Sequence, residues 1–438
     1  MRLHIDKWEQ VREVKIEIYP CLSALKKLCL WCYTPDFRGG KAKAMGKLLF
    51  WVLGIFSGLR RTWLRLTGTT EADIHAQRIV SGHAWNEFCD HLKTAGAALV
   101  FPGTPRDAFQ QAEGVRYLTR LTRAALEAYV EYGDMEIPEL RRMVHETVKL
   151  GADNPDNHYL NAQISGQYEY RIVGKRNTIN YLGFFTQNGT YGQPGGMAPC
   201  GVLEDKDLVI EPDGSFEVIM SKERKGKNWL RIEDTSSLLM VRQTYLDRRH
   251  EQAADLRIEN LNGRKAPAPL TPEKVDKGLS TAAMFIAGAP VLFAKWANGF
   301  QKHVNQLPIF DPAVSNAAGG DASIIYHHSY WKLAQEEALV IAFKPPDCDT
   351  WNFQLNNYWM ESLDYRYFPI SVNKHSAQLS DDGHVRIVVS AVNPGVPNWL
   401  DTCSHTEGTM CLRWYRLRNG AQPVVPECNV VMIKDIQV

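Results

Sequence analysis

One pattern occurs twice in this chain, and a tandem duplication constrains the fold more than any other feature. Residues 213–245 read DGSFEVIMSKERKGKNWLRIEDTSSLLMVRQTY, and residues 382–415 read DGHVRIVVSAVNPGVPNWLDTCSHTEGTMCLRWY. Each runs from an Asp-Gly turn through an apolar strand ending in serine, then a loop, Asn-Trp-Leu, a polar stretch and a second apolar strand closed by an arginine and an aromatic residue. Asp213 to Asn228 is 15 positions and Asp382 to Asn398 is 16; Trp229 to Arg242 is 13 and Trp399 to Arg413 is 14. Spacing matched to within one residue throughout implies two related β modules in tandem.

The rest of the sequence fits that frame. From about residue 160 apolar side chains recur at every second position, in YEYRIVGK, INYLGFFTQ, FEVIMS and LLMVRQTY, with turn dipeptides between several of the runs. Pro267 and Pro269 mark a linker, residues 272–306 read as a helical interlude, and ALVIAF, TWNFQL, VRIVVS and TMCLRWY are strands of the second module. Upstream, residues 71–100 and 106–150 carry a helical pattern, with breaks at Pro102 and Pro105 and with Pro138 suited to a first helical turn. The expected class is α+β: an N-terminal helical region over 1–150, a first antiparallel, jelly-roll-like β-sandwich module over 151–265, a helical linker region over 270–330 and a second such module over 331–438.

At 438 residues, 45% hydrophobic and 23% charged, the chain has an ordinary globular composition. Its net charge of +1 is unevenly spread. Residues 1–68 hold 13 Lys/Arg against 5 Asp/Glu, net +8, which leaves the remainder at −7. Within this basic segment residues 46–66 contain an apolar run of only 12 residues, between Lys47 and Arg60, too short for a bilayer span, which needs about 20. On a helical wheel Lys47, Gly54, Gly58, Arg61 and Arg65 share one face, and Leu49, Val52, Leu53, Phe56, Trp63 and Leu66 the other. Such a helix either rests on an anionic membrane surface, here the inner membrane, or packs on the rest of the protein. The nine cysteines are odd in number and no secretory signal opens the sequence, so reduced thiols in a cytoplasmic protein are expected. Cys29-x-x-Cys32 lacks the βαβ context of a redox pair and reads as helix packing.

Polar chemistry concentrates in the second module. Trp351, Phe353 and Leu355 alternate onto one strand face, and the same alternation carries on through Asn357, Trp359 and Glu361, as though the strand entered a pocket. Ser362, Asp364, Tyr365 and Arg366 follow, then Asn373 and His375; a second cluster holds Asn398, Trp399, Asp401 and His405. Asn-Trp and the later arginine occur in both copies, so Asn228/Asn398, Trp229/Trp399 and Arg242/Arg413 read as architectural. Asp401 and His405 belong to the second copy alone and are the better functional candidates. His327-His328 is the densest histidine pair, but adjacent side chains on an extended strand point to opposite faces, so no metal site is expected there. The sequence has no G-x-S-x-G, H-E-x-x-H, dinucleotide fingerprint or paired C-x-x-C, and no cofactor or metal is expected. The β modules are acidic and lack a basic stripe, which argues against nucleic acid.

WNFQLNNYWMESLDYR at 351–366, VNKH at 372–375 and NPGVPNWLDTCSHTEGTMCLRW at 393–414 resemble the bacterial family known as domain of unknown function 1214. NPDNHYLNAQISGQYEYRIVGKRNTINYLGFFTQ at 154–187 and SLLMVRQTY at 237–245 resemble the region that precedes that domain in longer members, so the resemblance covers about residues 150–435. It implies a double jelly-roll-like architecture and no established activity. Where many members have Ala-Gly before the histidine, this chain has Cys403-Ser404 before His405.

The leading expectation is a catabolic hydrolase or lyase acting, without a cofactor, on an apolar small molecule that carries an anionic group. Asp401 would orient His405 as acid or base, with Glu361 as a second acid/base. Arg366 would hold the anionic group, and Asn357, Trp359, Asp364, Tyr365, His375 and Asn398 would line the site. On this expectation His405→Ala abolishes turnover at little cost in stability. The alternatives are a non-catalytic carbohydrate- or lipid-binding tandem β-sandwich, with Trp359, Trp399 and Tyr365 as stacking surfaces, and a membrane-apposed structural partner.

Overall fold

The computed structural model describes residues 68–190, 197 and 199–436. The amphipathic segment 46–66 and the Cys29/Cys32 pair lie outside the described residues. The chain divides into two units, 1–77 and 78–438. Of the first, the described part is residues 68–77, a turn leading into the opening of helix α1 (Glu71–Val80). The second is a mixed α+β unit with four four-stranded sheets.

Its first half contains β1 (Asn157–Gln163), β2 (Tyr170–Lys175), β3 (Tyr181–Asn188), β4 (Pro199–Glu204), β5 (Ser215–Ser221), β6 (Trp229–Arg231), β7 (Ser236–Thr244) and β8 (Asp255–Asn260). They form sheets of order β1-β7-β3-β4 and β6-β5-β2-β8. The second half contains β9 (Ile324–Lys332), β10 (Glu337–Phe343), β11 (Cys348–Leu355), β12 (Ser371–Asn373), β13 (Val385–Ser390), β14 (Trp399–Asp401), β15 (Glu407–Leu417) and β16 (Glu427–Met432). Its sheets run β9-β15-β11-β12 and β14-β13-β10-β16, the first-half order moved on by eight strands. In each half the two sheets share one apolar core, Leu182, Phe184 and Val241 meeting Ile172 and Val218 in the first, and Trp351, Phe353 and Trp414 meeting Ile341 and Ile387 in the second.

The sheets are not wholly antiparallel, as the sequence led one to expect: β6 runs parallel to β5, and β14 parallel to β13. The repeated Asn-Trp explains it. The Asn228 amide donates to the carbonyls of Val209 and Glu217, both at 2.9 Å, and accepts from Val209 N at 2.7 Å. Asn398 makes the same three bonds, to Gln378 O (2.8 Å), Arg386 O (3.1 Å) and from Gln378 N (2.8 Å). The indole N–H then ties the returning strand to the serine that ends its neighbour, Trp229 to Ser221 Oγ at 3.1 Å and Trp399 to Ser390 Oγ at 3.0 Å.

Three boundaries differ from the sequence reading. The second half begins at β9, inside the stretch read as helical linker. β11 stops at Leu355, and Asn357, Trp359 and Glu361 sit in a turn closed by an Asn356–Ser362 bridge, with Met360 at φ 57°. The helical pattern over 106–150 ends by Glu131, because the backbone beyond it is taken up by bridges such as Arg141–Asn161, and Pro138 lies in a loop.

Helix α2 (His83–Ala95), helix α3 (Ala108–Leu126) and helix α4 (Pro272–Phe300) share a core with one edge of the second half. α3 is capped by Asp107, which accepts from Gln110 N at 2.9 Å, and α4 by Thr271, which accepts from Lys274 N at 3.2 Å, with Pro272 in its first turn. α4 is the one helix among the described residues long and apolar enough to cross a membrane, but most of that face is buried within the protein. A short helix α5 (Pro312–Ala317) leads into β9.

Candidate functional site

The turn after β11 and the loop before β15 do meet, but on α3 and through a partner far away in sequence. His405 is buried, and its Nε2 lies 2.6 Å from Glu113 Oε2; its Nδ1 faces the carbonyls of Thr402 (3.0 Å) and Cys403 (3.1 Å). Asn357 Nδ2 donates both to Glu113 Oε2 (3.1 Å) and to Glu361 Oε2 (3.0 Å), and Glu361 Oε1 is 2.6 Å from Arg120 Nη1. Burial pushes the Glu113 carboxyl up, but its bond to His405, then Asn357 and Arg116, outweigh this and hold it below the usual range. Burial wins at Glu361, which is raised despite Arg120. Glu361, Asn357 and His405 thus belong to one buried network, with Glu113 and Arg120 on α3 as the members the sequence reading missed.

The other expected residues are elsewhere. Asp401 does not orient His405; its carboxylate accepts from Cys403 N at 2.7 Å and caps its own loop. Arg366 is exposed and folds back on Asp364 at 2.7 Å, two residues away, so neither faces the network. Trp359 is core, its indole N–H donating to Gln110 O at 3.2 Å, and it offers no stacking surface. Tyr365 lies half-buried under Lys149 Nζ, 4.8 Å from the ring centre. His375 is exposed, 3.4 Å from Asp247. Asn398 belongs to the repeated bracket described above.

None of these residues lines the large cavity of the unit. That space, about 1310 Å³, exceeds the roughly 300–1,000 Å³ of ordinary small-molecule pockets. Its polar wall is the outer faces of the two sheets that carry β1 and β9: Asn157, Tyr159, Asn161 and Gln163 on β1, Arg242 on β7, Tyr326 and His328 on β9, and Arg413 and Tyr415 on β15. Phe285, Phe293 and Trp296 of α4, with Met143 and Leu150, supply apolar wall. Alternation creates this division, since the intervening residues fill the apolar core of each half.

The two halves place matching residues on this wall. Tyr159 pairs across the strands with Arg242, and Tyr326 with Arg413; two residues along, Asn161 faces Met240 and His328 faces Cys411. The two arginines differ in their partners. Arg242 has a carboxylate, Asp321, at 3.1 Å and Gly319 O at 2.8 Å. Arg413, only 4% exposed, is held by neutral oxygens alone, Gln354 Oε1 at 2.6 Å, Asn352 Oδ1 at 3.4 Å and Ala152 O, and among the described residues no carboxylate pairs with it. His328 lies between parallel rings, Tyr326 at 5.4 Å and Phe300 at 5.6 Å. Burial, and then the charge on Arg413, push it down to about 3, so its ring is neutral. Its Nδ1 has no hydrogen-bond partner among the described residues. No cluster of three metal-ligating side chains occurs among the described residues.

The missed signal was the even-numbered face of β11. Asn352 and Gln354 alternate with Trp351, Phe353 and Leu355, and a strand with amides on one face and large apolar groups on the other is covered by something polar on the amide side.

No family model matches the chain, and no curated protein matches it. A solved structure of an uncharacterized protein from Burkholderia cenocepacia is 48% identical, covers 82% of this chain and 100% of its own, and superposes with a TM-score of 0.80. A solved structure from Vibrio parahaemolyticus is 13% identical, covering 78% of this chain and 100% of its own with a TM-score of 0.42.

Proposed function

The chain belongs to the same family as the uncharacterized Burkholderia cenocepacia protein, and we propose that it binds an apolar small molecule carrying an anionic group in the cavity between its two β halves. The observation that carries this reading is Arg413. A buried charge without a direct ion-pair partner is costly, and the equivalent Arg242 has Asp321 in contact where every group that Arg413 donates to is neutral and the carboxylates of Asp153 and Asp156 act on it only at a distance. An anionic ligand group on the cavity side would supply the missing charge, and the α4 wall would bury an apolar body.

Binding is preferred here to acid/base hydrolysis or elimination, because both ring nitrogens of His405 are engaged by protein groups and the residue lies off the cavity lining. We further propose that the halves are copies of one jelly-roll-like module, which the eight-strand shift in sheet order and the twin Asn-Trp brackets support. Membership of residues 150–435 in domain of unknown function family 1214 is part of the same proposal, on the motifs at 351–366 and 393–414.

The test is a fluorescence titration with anilinonaphthalene sulfonate, an apolar anion. Wild type should bind it saturably, one per chain, and both Arg413→Met and Met240→Trp should weaken it by about tenfold or more. Met240 lines the cavity without holding the fold's polar network, so that variant speaks even if Arg413→Met does not fold. Absence of saturable binding, or unchanged affinity in Met240→Trp, would overturn the proposal.

A further inference from the structure

The cavity's polar wall carries more than a cation, and what it leaves unpaired defines the ligand further. On β1 the Asn157 amide is already committed, accepting from Thr244 Oγ1 at 2.8 Å and donating to Tyr159 Oη at 3.0 Å. Asn161 and Gln163 are different. Both line the cavity, and neither side-chain amide has a hydrogen-bond partner among the described residues, although Gln163 is only 8% exposed. They stand two residues apart on the same strand face, about 6.6 Å along the strand. Each amide offers a carbonyl acceptor and two N–H donors, so each can both give to and receive from a hydroxyl. Both amides open to the cavity's accessible space rather than being sealed in protein, and a ligand that fills that space without hydrogen-bonding groups along one edge would leave them unpaired, which is unfavourable. The facing apolar wall of Phe285, Phe293 and Trp296 calls for an apolar face on the same molecule.

Resting on the binding proposal above, we infer that the ligand is an acid with hydroxyl groups along one edge and an apolar opposite face, its anionic group at Arg413 and its hydroxyls on Asn161 and Gln163. A purely apolar chain would satisfy the α4 wall and leave the amides unpaired.

Two steroid acids that differ in hydroxyl count make the test: cholate, with three hydroxyls, and lithocholate, with one, each titrated calorimetrically into the full chain. A cavity that selects by apolar burial alone binds lithocholate more tightly. The amide row predicts the reverse, with cholate tighter by about tenfold, the equivalent of one or two satisfied hydrogen bonds. Gln163→Leu, and separately Asn161→Leu, should lower that preference to near parity by weakening cholate and not lithocholate. Lithocholate binding more tightly than cholate to wild type, or a cholate preference that survives both substitutions, would overturn the inference. If anilinonaphthalene sulfonate binds and neither steroid acid does, the hydroxylated class is wrong and the anion site stands; if none of the three binds, the parent proposal fails with it.

Discussion

Replacing His405 by alanine should destabilise the protein substantially, against the sequence expectation of a catalytic histidine removable at little cost. The His405 side chain is 3% exposed and Glu113 12%, and their atoms are 2.6 Å apart. Removing the partner of a hydrogen bond to a largely buried carboxylate typically costs about 1.5–3 kcal/mol, because the carboxylate stays buried without it. Here Glu113 keeps Asn357 at 3.1 Å and the exposed Arg116 at 2.7 Å, which places the cost at about 2 kcal/mol. Urea unfolding of both proteins at pH 7, with equal slopes, reads the difference as a shift in midpoint. The pH dependence gives an independent check through Glu113→Gln. The native Glu113 carboxyl is held below its ordinary value, so its contribution is present above the unfolded glutamate value of about 4.3 and is lost as pH falls through the lowered native value. Glu113→Gln should therefore be less stable than wild type at pH 6–7, and the gap should close in more acidic solution. A His405→Ala cost below about 1 kcal/mol, typical of an exposed pair, or a Glu113→Gln gap that persists unchanged into acid, would refute the reasoning.

The duplicated asparagines should differ despite identical bonding: Asn228→Ala, at a site 3% exposed, should cost about 2–3 kcal/mol, and the half-exposed Asn398→Ala about 1, since water can replace the lost partners there; urea midpoints decide. Gly278→Ala in α4, favourable by helix propensity, should instead lower the melting temperature, because the new Cβ would stand 2.6 Å from the Tyr129 carbonyl oxygen. The basic segment predicts binding to anionic vesicles in flotation assays that weakens with salt and disappears when residues 1–68 are removed; flotation unaffected by that deletion would exclude it as the anchor.

The Asn-Trp bracket was legible in the sequence because its bonds close over short loops: Asn228 reaches Val209 and Glu217, and Asn398 reaches Gln378 and Arg386. Such local geometry forces local spacing, and spacing survives in one sequence as a repeat. Glu113 had no such trace. It meets His405 across 292 positions, and on α3 it looks like one more charge on a helix face. The cavity was hidden for a different reason. Its lining residues are the polar members of strands whose apolar members attract attention, and the alternation through Asn357, Trp359 and Glu361 was followed past Leu355, where the strand turns.

The repeated sequence pattern also misled in one respect. Arg242 and Arg413 were set aside as architectural because both copies have them, yet shared position does not mean shared chemistry. Asp321, which pairs with Arg242, comes from the stretch between the halves; the matching stretch before β1 sets Ala152 O against Arg413 as Gly319 O is set against Arg242, but puts no carboxylate in contact with it, Asp153 and Asp156 acting only at a distance. The matched Tyr-Arg pairs give the cavity a near-symmetric wall, and the linker supplies one arginine with a direct ion pair that the other lacks. Where the halves differ next, Asn161 opposite Met240 and His328 opposite Cys411, the first three of these residues lie on the same wall. Two matched halves alone would give the cavity a near-even charge; the Asp321 ion pair on one arginine, and Asn161 standing where the other half has His328, make its two sides unlike, and that asymmetry is what the proposed anionic ligand would use.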